Sequence, residues 1–296
     1  MIINSHLTID GYKICHRQSY PPGTELIFSN LTPRKTYRKE KPEGVVFFGL
    51  QYYIKRFLID EWNNSFFSQP IEKVVDSYLR RLNNYLGPNK IGAQHLIDLH
   101  ALGYLPLEIR ALKEGSVVPY KVAPMVCWNT HKDFFWLTNY LETIWSVTIW
   151  PLSTTATTAK LFRDLAEKYA VLTTGKTDFV KFMNHNFSYR GCMGHEAATM
   201  IDAGWLTASV GSDTVPGIDF VEQYYNANSD KELVSCSVVA LEHSTVCAYG
   251  KDNEKAALQH LITEVFPEGI VSFIADSYDY WKCITEYSTE LKEIGR

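Results

Sequence analysis

From Phe182 onward, short apolar runs alternate with stretches of helical period, and that rhythm limits the possible folds more than any other feature of the chain. Leu233 to Ala240 and Ile270 to Ala275 have strand length, and Asn253 to Val265 between them repeats apolar residues at helical spacing. Such alternation makes β/α units, because parallel strands need a crossover, usually a helix, to bring the chain back. In sheets and barrels of this kind, ligand-binding residues sit on the loops just after the strands, where helix amino termini gather. The segments behind the predicted strands are therefore where chemistry is expected.

The first half reads differently. Val45 to Leu58 carries apolar residues at three and four spacing from Phe48 onward and predicts a helix, as does Ile71 to Tyr85. Leu105-Pro106-Leu107-Glu108-Ile109-Arg110-Ala111 alternates with period two and Lys113-Glu114-Gly115 closes it, so strands are expected between 105 and 128. Asp133 is expected to cap a helix from Phe134 to Ile149 that ends before Pro151, with another from about Thr157 to Tyr169. The architecture expected is α/β: an amino-terminal α+β domain over 1–150, then a partial β/α barrel over 151–296. The 296 residues, 46% of them hydrophobic, are enough for cores of that size and exclude disorder.

Charge and cysteine usage narrow the function. With 29 Lys+Arg against 33 Asp+Glu the net charge is -4, which gives no global field for nucleic acid. The basic run Arg34 to Lys39 is read as a solvated loop face. The six cysteines form no C-x-x-C pair and no tight spacing with histidine, so neither a zinc site nor a disulfide framework is legible, and a cytoplasmic protein with reduced thiols is expected. The amino terminus lacks the pattern of a secretory signal, and the charge-free stretch Thr143 to Ala159 carries six threonines and Pro151, so no membrane segment is expected.

Two motif-like segments fail on context. Ala170 to Thr177 ends in Gly175-Lys176-Thr177 like a phosphate loop, but a helix precedes it and alanine replaces the first glycine. His195-Glu196 opens like a zinc-protease helix, but Thr199 stands where the second histidine must face the metal. More pointed are Asn186-Phe187-Ser188-Tyr189-Arg190-Gly191, Gly211-Ser212-Asp213-Thr214, Leu241-Glu242-His243-Ser244-Thr245 and Ala275-Asp276-Ser277-Tyr278-Asp279, each behind a predicted strand. Together they supply an aromatic platform, an arginine, carboxylates and a histidine.

At these residues the chain resembles the nicotinamide phosphoribosyltransferases, type II phosphoribosyltransferases that join nicotinamide to phosphoribosyl pyrophosphate and release nicotinamide mononucleotide and pyrophosphate. The resemblance also runs through Asp10-Gly11-Tyr12-Lys13, Phe48-Gly49-Leu50-Gln51-Tyr52, Trp136-Leu137-Thr138-Asn139 and Gly250-Lys251-Asp252. It implies that Phe187 stacks on one face of the pyridine ring, that Tyr12 from the other subunit of a homodimer covers the opposite face, and that Asp213 accepts a hydrogen bond from the carboxamide. It implies contacts to the phosphoribosyl donor for Arg190 and Asp276, and to pyrophosphate for Arg34 across the dimer. Ser237, Val238 and Ser272 complete the substrate-binding set, and His243 is the histidine phosphorylated in an ATP-coupled cycle. His243, Asp276 and Arg190 form the expected catalytic set, with Mg2+ arriving on phosphoribosyl pyrophosphate and no metal ligands of the protein's own.

The sequence departs from the family's pattern at Asn186, where an aspartate is common, at Ser188, where a glycine is common, and at Cys236, where an aromatic lies near the ligand tunnel. It also stops shortly after Asp279, where the family continues with a second donor-binding arginine and aspartate and a glycine-rich phosphate loop. Three readings follow. One is an enzyme whose carboxy-terminal part a second chain supplies or this sequence does not include; another is a remnant that binds nicotinamide or serves assembly. Nicotinate phosphoribosyltransferase is the third, disfavoured by the charge at Asp213.

Overall fold

The computed structural model describes residues 4–39 and 42–294, so the first three residues of the amino-terminal stretch read above lie outside it. By its internal contacts the chain forms two compact units, Met1–Ser235 and Cys236–Arg296.

In the first unit, β1 (Phe28–Leu31), β5 (Met125–Asn129) and β3 (Leu107–Ala111) form an antiparallel sheet in the order β1-β5-β3, and β2 (Gly44–Val46) pairs antiparallel with β4 (Val117–Pro119). The strands expected between 105 and 128 are thus present, with Gly115 at φ +87° in the turn that links β3 and β4.

The helix expected from Val45 begins only at Leu50. Val45 and Val46 pair instead with Val118 and Val117 in β2, because β-branched side chains suit a pleated strand. Gly49, at φ +113°, then turns the chain into helix, which continues in wide π turns over Tyr53–Glu61 and Asn63–Phe67.

A larger correction concerns Pro151. The two helices expected on either side of it are one, Glu142–Thr174, which also runs through the 150/151 position read as a boundary. Proline leaves the carbonyl four residues back, that of Val147, without its helical partner. Val147 is 53% exposed, so water can take that bond. The same helix holds the β2 segment by side chains one turn apart: the Thr157 hydroxyl accepts from the Val46 amide at 2.9 Å, and the Ser153 hydroxyl bonds both the amide and the carbonyl of Phe48. Asp133 caps nothing here; His131 Nδ1 accepts from the Asp133 amide and opens a short turn, Lys132–Phe134.

Two apolar cores result. Phe47, Tyr52, Tyr53, Ile149, Leu152 and Phe220 lie in one, and Trp62, Phe66, Tyr78, Leu96, Trp136 and Leu137 in the other. The unit ends in a β/α pair: β6 (His185–Asn186) lies parallel to β7 (Gly211–Ser212), with the helix His195–Trp205 crossing between them and the helix Pro216–Tyr225 following.

The second unit repeats that scheme. Its strands β8 (Val239–Ala240) and β9 (Val271–Ser272) are parallel, and the helix Glu254–His260, continuing over Leu261–Val265, lies between them in sequence. Among the described residues no helix is long and apolar enough to cross a membrane.

Candidate active site

In the first unit the parallel register sets the site. His185 pairs with Gly211 and Asn186 with Ser212, and the Asp213 amide continues the ladder by donating to the Asn186 carbonyl at 3.0 Å. Phe187 and Asp213 each follow directly on the last paired residue of the two strands. Successive strand residues face opposite sides. Asn186 and Ser212 point into the unit and are buried, so Phe187 and Asp213 emerge on the other side, exposed, with Phe187 71% accessible. The Phe187 ring stacks on His185, centroids 5.9 Å apart at 29°.

Arg190 follows in the turn Tyr189–Gly191 and is exposed, where a guanidinium can reach an anion. The turn is held by Tyr189, whose hydroxyl meets His195 Nδ1 at 2.7 Å, so His195 is engaged there rather than in a metal site. The phosphate-loop look-alike is a helix end: Gly175, at φ +71°, terminates Glu142–Thr174.

Tyr12 and Arg34 stand on other elements. Tyr12 is 63% exposed in the turn Gly11–Cys15 and packs edge-on against His16, not against Phe187, while Arg34 is exposed in the segment after β1. This chain thus brings Phe187 and Asp213 together and leaves the Tyr12 ring pointing elsewhere.

In the second unit, Ala240 pairs with Ser272, and the Leu241 amide donates to the Ser272 carbonyl at 3.0 Å. Behind β8, His243 opens the short helix His243–Cys247; behind β9, Asp276 faces it, with His243 Nε2 3.0 Å from Asp276 Oδ1. In the neutral tautomer whose Nε2–H donates to the carboxylate, Nδ1 keeps its lone pair. Ser237 and Val238 precede β8 and are exposed, and Ser272 ends β9. Among the described residues no group of three or more His, Cys, Asp or Glu side chains could hold a metal ion.

One residue at this site carried no sequence signal of its own. Asp202, fully buried on the helix His195–Trp205, accepts from Asn186 Nδ2 at 2.6 Å and from Ser212 Oγ at 2.5 Å, both on Oδ1. Burial raises its pKa, opposed by those two hydrogen bonds. Its signal lies in the fold alone, where the donors of Asn186 and Ser212 converge on it.

Residues 4–109 match the model of the nicotinamide phosphoribosyltransferase N-terminal domain, and residues 182–294 that of the nicotinate phosphoribosyltransferase family. A nicotinamide phosphoribosyltransferase from Acinetobacter baylyi is 43% identical over 98% of this chain, and one from Mycoplasma genitalium is 30% identical over 97%. Along nearly its whole length the chain is similar to nicotinamide phosphoribosyltransferases. It spans 58% of the Acinetobacter relative and 63% of the Mycoplasma one. Solved structures give the fold of this family as well. Human nicotinic acid phosphoribosyltransferase superposes with a TM-score of 0.54 at 20% identity, over 81% of this chain and 40% of its own. Nicotinate-nucleotide pyrophosphorylase from Pyrococcus furiosus superposes with a TM-score of 0.59 at 14% identity, over 98% of this chain and 56% of its own. The fold is therefore that of the type II phosphoribosyltransferases, as the sequence predicts.

Proposed function

We propose that the protein transfers phosphoribosyl from phosphoribosyl pyrophosphate to nicotinamide, in NAD salvage. The observation that supports this reading is the register of β6 and β7, whose paired ends are followed directly by an exposed aromatic residue, Phe187, and an exposed carboxylate, Asp213. A planar amide ring suits that pair: its face stacks on Phe187 while its carboxamide N–H donates to Asp213. Nicotinate would bring a second negative charge there. Two like charges about 4 Å apart at an effective dielectric near 20 repel by roughly 4 kcal/mol. That favours nicotinamide over nicotinate.

In the reaction the pyridine nitrogen bonds the anomeric carbon as the bond from that carbon to pyrophosphate breaks, the electron pair leaving with pyrophosphate. The attacking nitrogen carries no proton, so no general base is required, and the demand falls on groups that steady the leaving anion. Arg190, which is exposed, grips phosphate oxygens, with Arg34 contributed from the other subunit of a homodimer, whose Tyr12 closes the open face of the ring slot. The exposed Asp276 carboxylate accepts from ribose hydroxyls, and Ser237, Val238 and Ser272 line the substrate's path. Asp276, paired with His243 through Oδ1 only, has a second carboxylate oxygen that fits an Mg2+ arriving on the diphosphate, since that ion is usually held by substrate phosphates and one or two carboxylates; the ion would supply charge neutralisation. His243, with Nδ1 free and Nε2 tied to Asp276, suits phosphorylation by ATP, the phosphoryl group passing to Nδ1 as ADP departs. The six free cysteines favour a cytoplasmic setting.

A second reading is a catalytically incomplete remnant that binds nicotinamide or serves assembly. One assay separates the two. Incubation with nicotinamide, phosphoribosyl pyrophosphate and Mg2+ is expected to yield nicotinamide mononucleotide, with little product from nicotinate. Binding without turnover selects the second reading, and neither binding nor turnover overturns both.

A further inference from the structure

The ring-binding pair is mounted on two turns that share one anchor. Asn186 Oδ1 accepts from the Ser188 amide at 3.0 Å, closing a turn around Phe187. Ser212 Oγ accepts from the Thr214 amide at 3.0 Å, closing a turn around Asp213 in the same way. Side chains that close such turns hold the residue in the middle only while their own orientation is fixed. Asn186 can flip its amide and Ser212 can rotate its hydroxyl. Each is oriented by donating to the same atom, Asp202 Oδ1, Asn186 through one of its two amide hydrogens at 2.6 Å and Ser212 through its hydroxyl hydrogen at 2.5 Å.

The other carboxylate oxygen is placed as deliberately. Asp202 Oδ2 is buried without a hydrogen-bond partner and lies against Gly217, where a methyl group would come within 1.9 Å of it. Gly217 is in the first turn of the helix Pro216–Tyr225, the positive end of its dipole, which offsets part of the cost of burying the carboxylate, and the space for it exists only because residue 217 has no side chain.

We propose that Asp202 is the positioning residue of the ring slot, orienting the Asn186 and Ser212 turns together so that Phe187 and Asp213 hold their spacing; this rests on the nicotinamide reading above. Asp202 touches no substrate. Its helix lies behind the sheet, and its effect reaches the ligand only through the two strand ends.

The test reads the turns directly. In the full chain, amide hydrogen exchange at Ser188 and Thr214 is compared for wild type, Asp202→Asn and Asp202→Ala, alongside the Kd for nicotinamide. Asp202→Ala removes the shared acceptor and is expected to speed exchange at both amides about tenfold or more and to raise the Kd by a similar factor. Asp202→Asn keeps an acceptor oxygen and is expected to rescue both readouts to within about threefold of wild type. Should Asp202→Ala fail to fold, Gly217→Ala displaces the carboxylate without deleting it and is expected to speed the same two amides. Unchanged exchange at both amides in a folded Asp202→Ala or Gly217→Ala overturns the proposal, as does loss of folding in both, which would make the role global. A wild-type chain that fails to bind nicotinamide while its variants still change exchange would sink the nicotinamide reading and leave the turn anchor standing.

Discussion

Asp213 shows how much a single charge decides. Its amide continues the β6–β7 ladder, so the backbone at 213 is fixed while the carboxylate stays exposed. Asp213→Asn keeps the shape and the acceptor oxygen and removes the repulsion towards a carboxylate ligand. The ratio of nicotinamide to nicotinate affinity, measured by titration calorimetry, is expected to fall by roughly one to three powers of ten, since about 4 kcal/mol is at stake before screening. An unchanged ratio would remove Asp213 from the specificity role. Phe187, Arg190, Asp213, His243 and Asp276 were legible because each stands in a short segment behind a run of strand length. Asp202 was not, because its partners lie 16 and 10 residues away and meet it only once the helix folds over the strands. An acidic residue in an amphipathic helix reads as solvated surface, and only the two buried donors aimed at Asp202 give it another role.

Elements were legible where period alone settles them and illegible where one residue overrides it. Ile71–Leu86 matches its predicted extent nearly end to end, and the strands around 107–129 follow their alternation. The helix expected from 45 failed because Gly49 imposes a left-handed backbone that no hydrophobic count records, and the break expected at Pro151 failed because water can reach the carbonyl it orphans. Gly49 is the sharper case. A Cβ there would meet Leu152 Cδ1 at 2.9 Å and Cβ at 3.1 Å, in a conformation that L residues rarely adopt. Gly49→Ala is therefore expected to cost roughly 2 kcal/mol or more, from backbone strain together with overpacking against the long helix. In calorimetry this appears as a fall of roughly 5 °C in the midpoint of the unit that contains it. A midpoint within about 1 °C of wild type would mean that the β2-to-helix turn relaxes freely.

At the scale of the molecule, the second core of the first unit contains two histidines that no period or motif distinguished from neutral filler. His6 and His95 are both buried, and their rings pack against Phe66, Tyr78 and Trp136. Both His6 ring nitrogens and His95 Nδ1 lack hydrogen-bond partners. Burial first, then the nearby Arg81, lowers the His6 pKa to about 4; burial first, then Arg17, lowers that of His95 to about 3. The unfolded chain takes these protons near the ordinary value of 6.5, so below that pH it binds protons that the folded chain refuses. The stability is fully present above 6.5 and is lost as pH falls towards 4 for His6 and 3 for His95, at about 1.4 kcal/mol per pH unit for each histidine. By pH 5 the pair removes roughly 4 kcal/mol, a large share of the 5–15 kcal/mol typical of a domain. Asp202 and Glu114, whose pKa values burial raises, act in the opposite sense, because protonation favours their folded forms. The histidines act over the higher part of the acid range, so urea midpoints measured at pH 7 and pH 5 are expected to fall steeply in the wild type. The drop should be about half as large in His6→Leu, which keeps an apolar filler and deletes one titration. Equal drops in the two proteins would show that His6 takes up its proton in the folded state, and that this core is open to water.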